Sequence, residues 1–207
     1  FSNIYILPNC KELKILKENE LVYAASKPFK LCTFSRVMKE KGIEDAVNAV
    51  EEINKKYGET VFTLDIYGQI DSMQTEWFES LQSRFSKDIS YKGLVPFDKS
   101  TGVLKNYYAL LFPTRFYTEG IPGTIIDAYA SGVPVISAKW ESFNDLVNEK
   151  IVGYGYTFGN YNELIKCLYI ISKNVNEFNL MKKNCLVHAG KYSARYIMNK
   201  FIDLYLD

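Results

Sequence analysis

Short apolar runs alternate with amphipathic helical stretches along almost the whole chain. That alternation leaves few architectures open, because strand, helix and strand in succession form the repeating unit of a parallel sheet. The runs that read as strands are 31–35, 61–67, 89–91, 108–112, 133–137 and 154–157. Between the first two, Ile43, Ala46, Val47, Val50 and Ile53 fall at the spacing of one helix face. Further crossover helices are expected over 76–85, 99–106 and 122–131. From Tyr161 onward the pattern is helical throughout, in the pieces 162–172, 175–192 and 193–206. The expectation is an α/β fold, a Rossmann-like parallel sheet flanked by helices, occupying residues 31–190. Residues 191–207 add a C-terminal helix. Residues 1–30, which are polar and lysine-rich after an apolar segment at 3–7 that reads as a strand, form a linker or edge segment closing on Pro28. A chain that opens without Met on such a strand is expected to be a piece of something longer.

At 207 residues there is room for one domain of the larger kind, while two would be tight. The net charge of +1 offers no field of one sign, which argues against nucleic acid as a partner. Aromatic residues make up 15% of the chain and are read as packing. Cys10, Cys32, Cys167 and Cys185 contain no C-x-x-C pair and are read as reduced thiols, Cys32 and Cys167 lying inside apolar runs. No apolar run approaches the roughly 18 to 20 residues of a membrane helix, and no signal-peptide pattern is present. The expected compartment is the cytoplasm, with peripheral contact at the inner face of a membrane left open for the full-length protein. His188 lies late in a helical stretch and is expected to be structural or surface-exposed, without the neighbours that nucleophilic catalysis needs.

Ligands of open parallel sheets bind beyond the carboxyl ends of the strands. Residues in those positions form a consistent set: Arg36 and Lys41 after the first core strand, Gly68 after the second, Gly93 after the third and Glu119 after the fourth. Each taken singly is an ordinary solvated loop residue. Together they place two cations, two glycines and a carboxylate along one edge. A pyrophosphate suits such a group, since an Arg fork, a mobile Lys and backbone amides can all meet its charge.

The stretch EGIPGTIIDAYASGVPVIS, Glu119 to Ser137, is the most informative about function. Pro122 suits the first position of a helix running to Ser131, whose free amides and positive dipole end would favour an anion beside Glu119. Asp127, eight positions after Glu119, is expected about two turns on along the same helical face.

These residues resemble the nucleotide-binding C-terminal domain, the C-terminal half, of a GT-B glycosyltransferase of the retaining family 4 type, and the resemblance covers nearly the whole chain. Leu-Pro-Asn-Cys at 7–10 resembles the family's Pro-Asn element at the domain junction. FSRVMKEKGIEDAVNAV resembles its Arg, four residues, Lys-Gly pattern ahead of a helix. LDIYG, ISYKGLVP and YYALLFPT match the intervening strands in order, and Glu119 to Ser137 resembles its two acids separated by seven residues followed by an Ala-x-Gly-x-Pro-Val-Ile run.

The resemblance implies a hexosyltransferase that uses a nucleotide-diphosphate sugar, with a UDP-sugar favoured, in polysaccharide or glycolipid assembly. It implies that Arg36 and Lys41 hold the diphosphate and stabilise the leaving group, and that Glu119 contacts donor-sugar hydroxyls near the reacting carbon. Amides of Gly120, Ile121, Gly123 and Thr124 would lie near sugar and phosphate, Asp127 would take the ribose hydroxyls, and Leu94 and Val95, just after Gly93, would make backbone contacts to the base. No cofactor or metal is implied, and no metal-ligand spacing is visible in the sequence. The acceptor would bind a separate N-terminal domain, so this chain alone is expected to bind donor and to transfer poorly. Two departures stand out: Asp127 is found where the family more often has Glu, and Pro122 where many members have Gly. A non-catalytic nucleotide-sugar-binding subunit and a GT-B sugar-nucleotide epimerase are the alternatives. A response-regulator reading fails because the first strand ends in Ser35-Arg36 with no acidic cluster.

Overall fold

The computed structural model describes residues 9–206. The segment 3–7 that reads as a strand, and the first residues of the 7–10 element, lie outside the described residues. Six strands, β1 (Phe29–Phe34), β2 (Phe62–Tyr67), β3 (Ile89–Gly93), β4 (Ala109–Phe112), β5 (Val135–Lys139) and β6 (Gly153–Thr157), form one parallel sheet in the order β3-β2-β1-β4-β5-β6. Five crossovers carry α1 (Ile43–Tyr57), α2 (Thr75–Gln82), α3 (Ser100–Leu104), α4 (Gly123–Ala130) and α5 (Phe143–Leu146). Three more helices, α6 (Tyr161–Lys173), α7 (Val175–Ala189) and α8 (Ala194–Leu206), complete the chain.

Both faces are buried at the centre of the sheet, where β4 is buried throughout and β5 over its first four residues, whereas β2 toward the edge alternates buried and half-buried residues. In β4, Ala109 and Leu111 join a cluster with Ile43, Val50 and Ile53 of α1 and Leu164 and Leu168 of α6. Leu110 and Phe112 of the same strand join the opposite cluster with Ile125, Ile126 and Tyr129 of α4 and Cys185 of α7. Each fully buried Leu or Ile side chain contributes roughly 1.5–3 kcal/mol relative to exposure. Such a core fixes the strand order firmly enough to define the loops at its edge.

Several boundaries differ from the sequence expectation for identifiable reasons. β5 begins at Val135 and not Val133, because Gly132 turns the chain at φ 66° and Pro134 has no N–H to give to a ladder. Pro122 is extended (φ −71°, ψ 122°) and caps α4, which starts at Gly123. The stretch 175–192 is helical to Ala189 and then tightens into a 3-10 turn over Gly190–Tyr192. The four-residue α5 is too short to leave a period in the sequence. Residues 9–30 contain one 3-10 turn, Glu18–Glu20, and are pinned along the domain: Leu16 is buried and its N–H donates to the Ala130 carbonyl at 2.9 Å.

Strand order reverses between β1 and β4. In a doubly wound sheet the crevice beyond the carboxyl ends of those two strands is where a ligand has access.

Candidate functional site at the sheet switch point

The loops after β1 and β4 are locked together by a close backbone approach. Gly42, with φ 68°, lies so near Pro113 that a Cβ would fall 1.8 Å from the Pro113 carbonyl oxygen. The contact is reinforced by the Arg115 N–H, which donates to the Glu40 carbonyl at 2.8 Å. It sets Lys41, the residue before Gly42, against Glu119, whose carboxylate accepts from Lys41 Nζ at 2.6 and 2.8 Å. The Thr114 hydroxyl donates to Glu119 Oε2 at 3.2 Å and orients it. Gln74, capping α2, donates to the Glu40 carboxylate and accepts from the Lys39 N–H. The Gln74 hydrogen bond, the main cause, holds Glu40 below the usual carboxylate range.

Arg36, Lys41 and Glu119 line one cavity of about 400 Å³ together with Met38, Glu40 and Phe116. Arg36 also lines a second cavity of about 290 Å³ with Gly68, Leu94 and Val95. The two cavities therefore share one residue, Arg36. Its side chain is 66% exposed and only loosely held, 3.7 Å from Asp71, so it is free to turn either way. Gly68 (φ 134°) is needed for packing in its own right, since a Cβ there would lie 1.8 Å from the Ser35 carbonyl oxygen. That approach holds the end of β2 against the loop carrying Arg36.

After Glu119, the turn leading into α4 has its carbonyls in use. Gly120 O accepts from the Trp140 indole at 3.1 Å, and Ile121 O from the Asn9 amide at 3.1 Å. The N–H groups of Gly120, Ile121, Gly123 and Thr124 have no acceptor among the described residues. They form a short row of donors following the carboxylate, as unsatisfied amides at a helix start do. The Thr124 hydroxyl, by contrast, is buried with no hydrogen-bond partner among the described residues.

Asp127 corrects one expectation. Glu119 lies outside the helix, so the two acids do not share a helical face. Asp127, on the second turn of α4, is 8% exposed and pairs with Lys11 Nζ at 2.6 Å. The structure thus brings Arg36, Lys41 and Glu119 into one cavity and joins Gly68, Leu94 and Val95 to it. It sets the four amide-bearing residues on the turn beside Glu119, and gives Asp127 a different cation. His188 is buried, donates from Nε2 to the Leu146 carbonyl at 3.0 Å, and packs edge-on to Tyr129. Burial pushes its pKa down. It is a core residue.

Sequence reasoning missed Lys11, Thr114 and the Arg115–Asp45 pair, in which two guanidinium nitrogens meet one carboxylate at 2.5 and 2.8 Å. Thr114 and Arg115 follow β4 directly, and the strand-end rule that flagged Arg36 also reaches them. No spacing signal links Lys11 to Asp127, because the two residues are distant in the chain and belong to different elements.

Residues 28–174 match the family model described as "Glycosyl transferases group 1". The chain is 35% identical over 112 residues to the UDP-N-acetylglucosamine–peptide N-acetylglucosaminyltransferase GtfA subunit of Streptococcus agalactiae, covering 53% of this chain and 20% of that protein. It is 27% identical over 175 residues to the alpha-monoglucosyldiacylglycerol synthase of Acholeplasma laidlawii, covering 84% of this chain and 42% of that protein. This chain thus spans less than half the length of either relative. Among solved structures, the sucrose-phosphate synthase of Thermosynechococcus elongatus superposes with a TM-score of 0.78 at 16% identity, over 97% of this chain and 51% of that one. That likeness establishes the fold, a sheet of the Rossmann-like GT-B kind, and no more. Among the described residues no helix is long and apolar enough to cross a membrane.

Proposed function

The chain belongs to the glycosyl transferases group 1 family, and from that premise we propose that it is the donor-binding domain of an enzyme that transfers a sugar from a nucleotide-diphosphate sugar to a saccharide or glycolipid acceptor. The observation that carries this reading is the pair of cavities that share Arg36 over the switch point, one holding the Lys41–Glu119 pair and the other lined by Gly68, Leu94 and Val95. A diphosphate at the junction lies within reach of Arg36 and Lys41. The base extends past Leu94 and Val95, and the sugar lies toward Glu119 and the free amides of Gly120, Ile121, Gly123 and Thr124.

The ion pair gives both of its members a partner before any donor arrives. Lys41 and Glu119 satisfy each other, with side chains 20% and 16% exposed. An arriving diphosphate takes the ammonium, and sugar hydroxyls donate to the carboxylate that the ammonium leaves. Charge-assisted contacts are exchanged for others of similar strength, so neither group is left unpaired. As the bond between sugar and diphosphate breaks, negative charge grows on the leaving oxygen. Arg36 and Lys41, already engaged by the diphosphate, stabilise that charge and lower the barrier electrostatically.

UDP is the favoured nucleotide, supported by the name of the Streptococcus agalactiae relative. The acceptor and a separate acceptor-binding domain complete the reading, and this chain alone binds donor but transfers poorly. Calorimetric titration of UDP, GDP and ADP, with and without EDTA, tests it. One diphosphate is expected to bind, and Arg36→Ala or Lys41→Ala to weaken it tenfold or more, about 1.4 kcal/mol. Binding that neither substitution changes, or no binding of any diphosphate, would sink the donor-site assignment.

A further inference from the structure

The loop after β4 divides its side chains between two cavities. Phe116 and Glu119 line the one that holds the Lys41 ion pair, whereas Thr114 and Arg115 line another of about 330 Å³. Asp45 of α1, Tyr156 of β6, and Phe158 and Tyr161 from the turn into α6 make up much of its remaining wall. Thr114 links the two cavities, because its hydroxyl donates to Glu119 at 3.2 Å. The volume falls at the lower end of the roughly 300–1,000 Å³ of small-ligand sites.

The polar groups of this cavity are unevenly satisfied. Asp45 and Arg115 meet at 2.5 and 2.8 Å, so the wall offers charged donors and acceptors that cancel in sum. Tyr156 is only 5% exposed, yet its hydroxyl has no hydrogen-bond partner among the described residues. Burial, and then the Asp45 carboxylate, push its pKa up, which keeps it a protonated donor. A buried hydroxyl without a partner does nothing for folding that a phenylalanine would not do as well. Two rings complete the wall. Phe158 is held edge-on by Tyr117 at 5.2 Å, and the Tyr161 hydroxyl is already engaged with Glu52 at 3.1 Å.

We propose that this cavity binds one neutral sugar ring of the saccharide acceptor. A pyranose presents hydroxyls around its rim and C–H groups on its faces, which suits a phenol, an ion pair and aromatic walls together. An anion would find Arg115 already matched by Asp45, and an apolar ligand would bury the pair and the phenol without giving them partners. The role as acceptor site rests on the donor-site reading above, which puts the donor sugar toward Glu119. A ring seated on the Thr114 and Arg115 side of the loop is then a neighbouring unit of the chain that receives the sugar.

Saturation-transfer NMR on the whole chain, with the methyl glycosides of glucose, galactose and N-acetylglucosamine as probes, tests the proposal. At least one glycoside is expected to bind, and to stay bound when UDP is added. Tyr156→Phe is expected to weaken it about tenfold, the size of a hydrogen bond within a charged group's reach, while the thermal midpoint holds or rises. Phe158→Leu keeps the apolar bulk without the ring face and is expected to weaken it too. No binding of any of the three, affinity unchanged in Tyr156→Phe, or displacement by UDP or inorganic phosphate would each overturn the site. Glycoside binding is measured first without nucleotide, so its failure is separate from that of the donor site, which falls only if no diphosphate binds in an Arg36- and Lys41-dependent way.

Discussion

Two lysine–carboxylate pairs sit at the rim of the same sheet and look alike by distance and exposure. Lys41–Glu119 and Lys11–Asp127 both close at 2.6 Å, with every side chain a fifth exposed or less. They differ in what holds them. Lys41 and Glu119 come from loops that follow neighbouring strands, β1 and β4, locked by the Gly42–Pro113 approach, and their pair opens onto a cavity. Lys11 is presented by a segment paired to the C-terminal part of the chain, and Asp127 by the buried face of a helix. An ion pair of given length can thus be an exchangeable reserve of charge or a brace, and only its attachments decide which.

The largest effect expected from breaking that contrast is at Gly42. Gly42→Ala puts a side chain into positive φ and onto the Pro113 carbonyl oxygen. We expect a loss of about 3 kcal/mol or more in urea unfolding, with diphosphate binding lost too, since the loop bearing Lys41 must move. Gly58 has nearly the same dihedral, φ 66°, with nothing within 4 Å of an added Cβ. Gly58→Ala should cost only about 1–2 kcal/mol, the left-handed penalty alone, and leave binding unchanged. Equal costs at the two glycines would show that the Gly42–Pro113 approach does not hold the first pair.

A sharper division comes from neutralising each acid in turn. If Asp127 takes the ribose hydroxyls, as the resemblance implies, Asp127→Asn should weaken UDP about tenfold by removing a charged acceptor. Glu119→Gln should tighten UDP about threefold, because it frees Lys41 and removes a like charge next to the diphosphate in a partly solvated site. The same chemical change then moves affinity in opposite directions at two pairs of equal length. Calorimetry on the two variants decides it, and a shift of the same sign in both would remove the distinction drawn here.

The two pairs also differ in how much of them could be read from the sequence. The sheet, its parallel sense and the helices α1 and α6 were legible because apolar spacing is a local signal and survives in any window of the chain. Arg36, Lys41, Gly68 and Glu119 were legible as strand-end residues, and the structure gathers them because parallel strands put all their carboxyl ends on one side. The contact of Lys41 with Glu119 was not visible, since it depends on β1 lying beside β4, and strand order leaves no trace in spacing. Lys11 falls in the linker or edge segment, and its polar neighbours look like those of any linker. Its partner is set by the return of the chain's end past Tyr192, a purely tertiary fact. Pro122 was placed one residue too far into α4, because a proline is as comfortable capping a helix as opening it.

The smallest effect separates both pairs from the core beneath them by pH. On the inner face of α7, Lys182 is almost wholly buried, donates to the Tyr107 carbonyl at 3.0 Å, and has its pKa lowered by burial to about 8. The unfolded chain keeps that proton up to about 10.4, so between those values the unfolded state binds more protons and stability rises with pH. Three buried thiols act the other way. Burial raises Cys167 to about 11 and raises Cys32 and Cys185 further, while unfolded thiols titrate near about 8.5. Three opposing groups outweigh one, and the expected net is a loss of about 1 kcal/mol between pH 8 and pH 9, read as a falling urea midpoint under reducing conditions. Lys182→Met removes the only one of these four contributions that rises, and should make that fall steeper. Glu119→Gln and Asp127→Asn should shift the whole curve without changing its slope in this window. A slope altered by either acid variant, and left alone by Lys182→Met, would place the alkaline response in the rim pairs and not in the core.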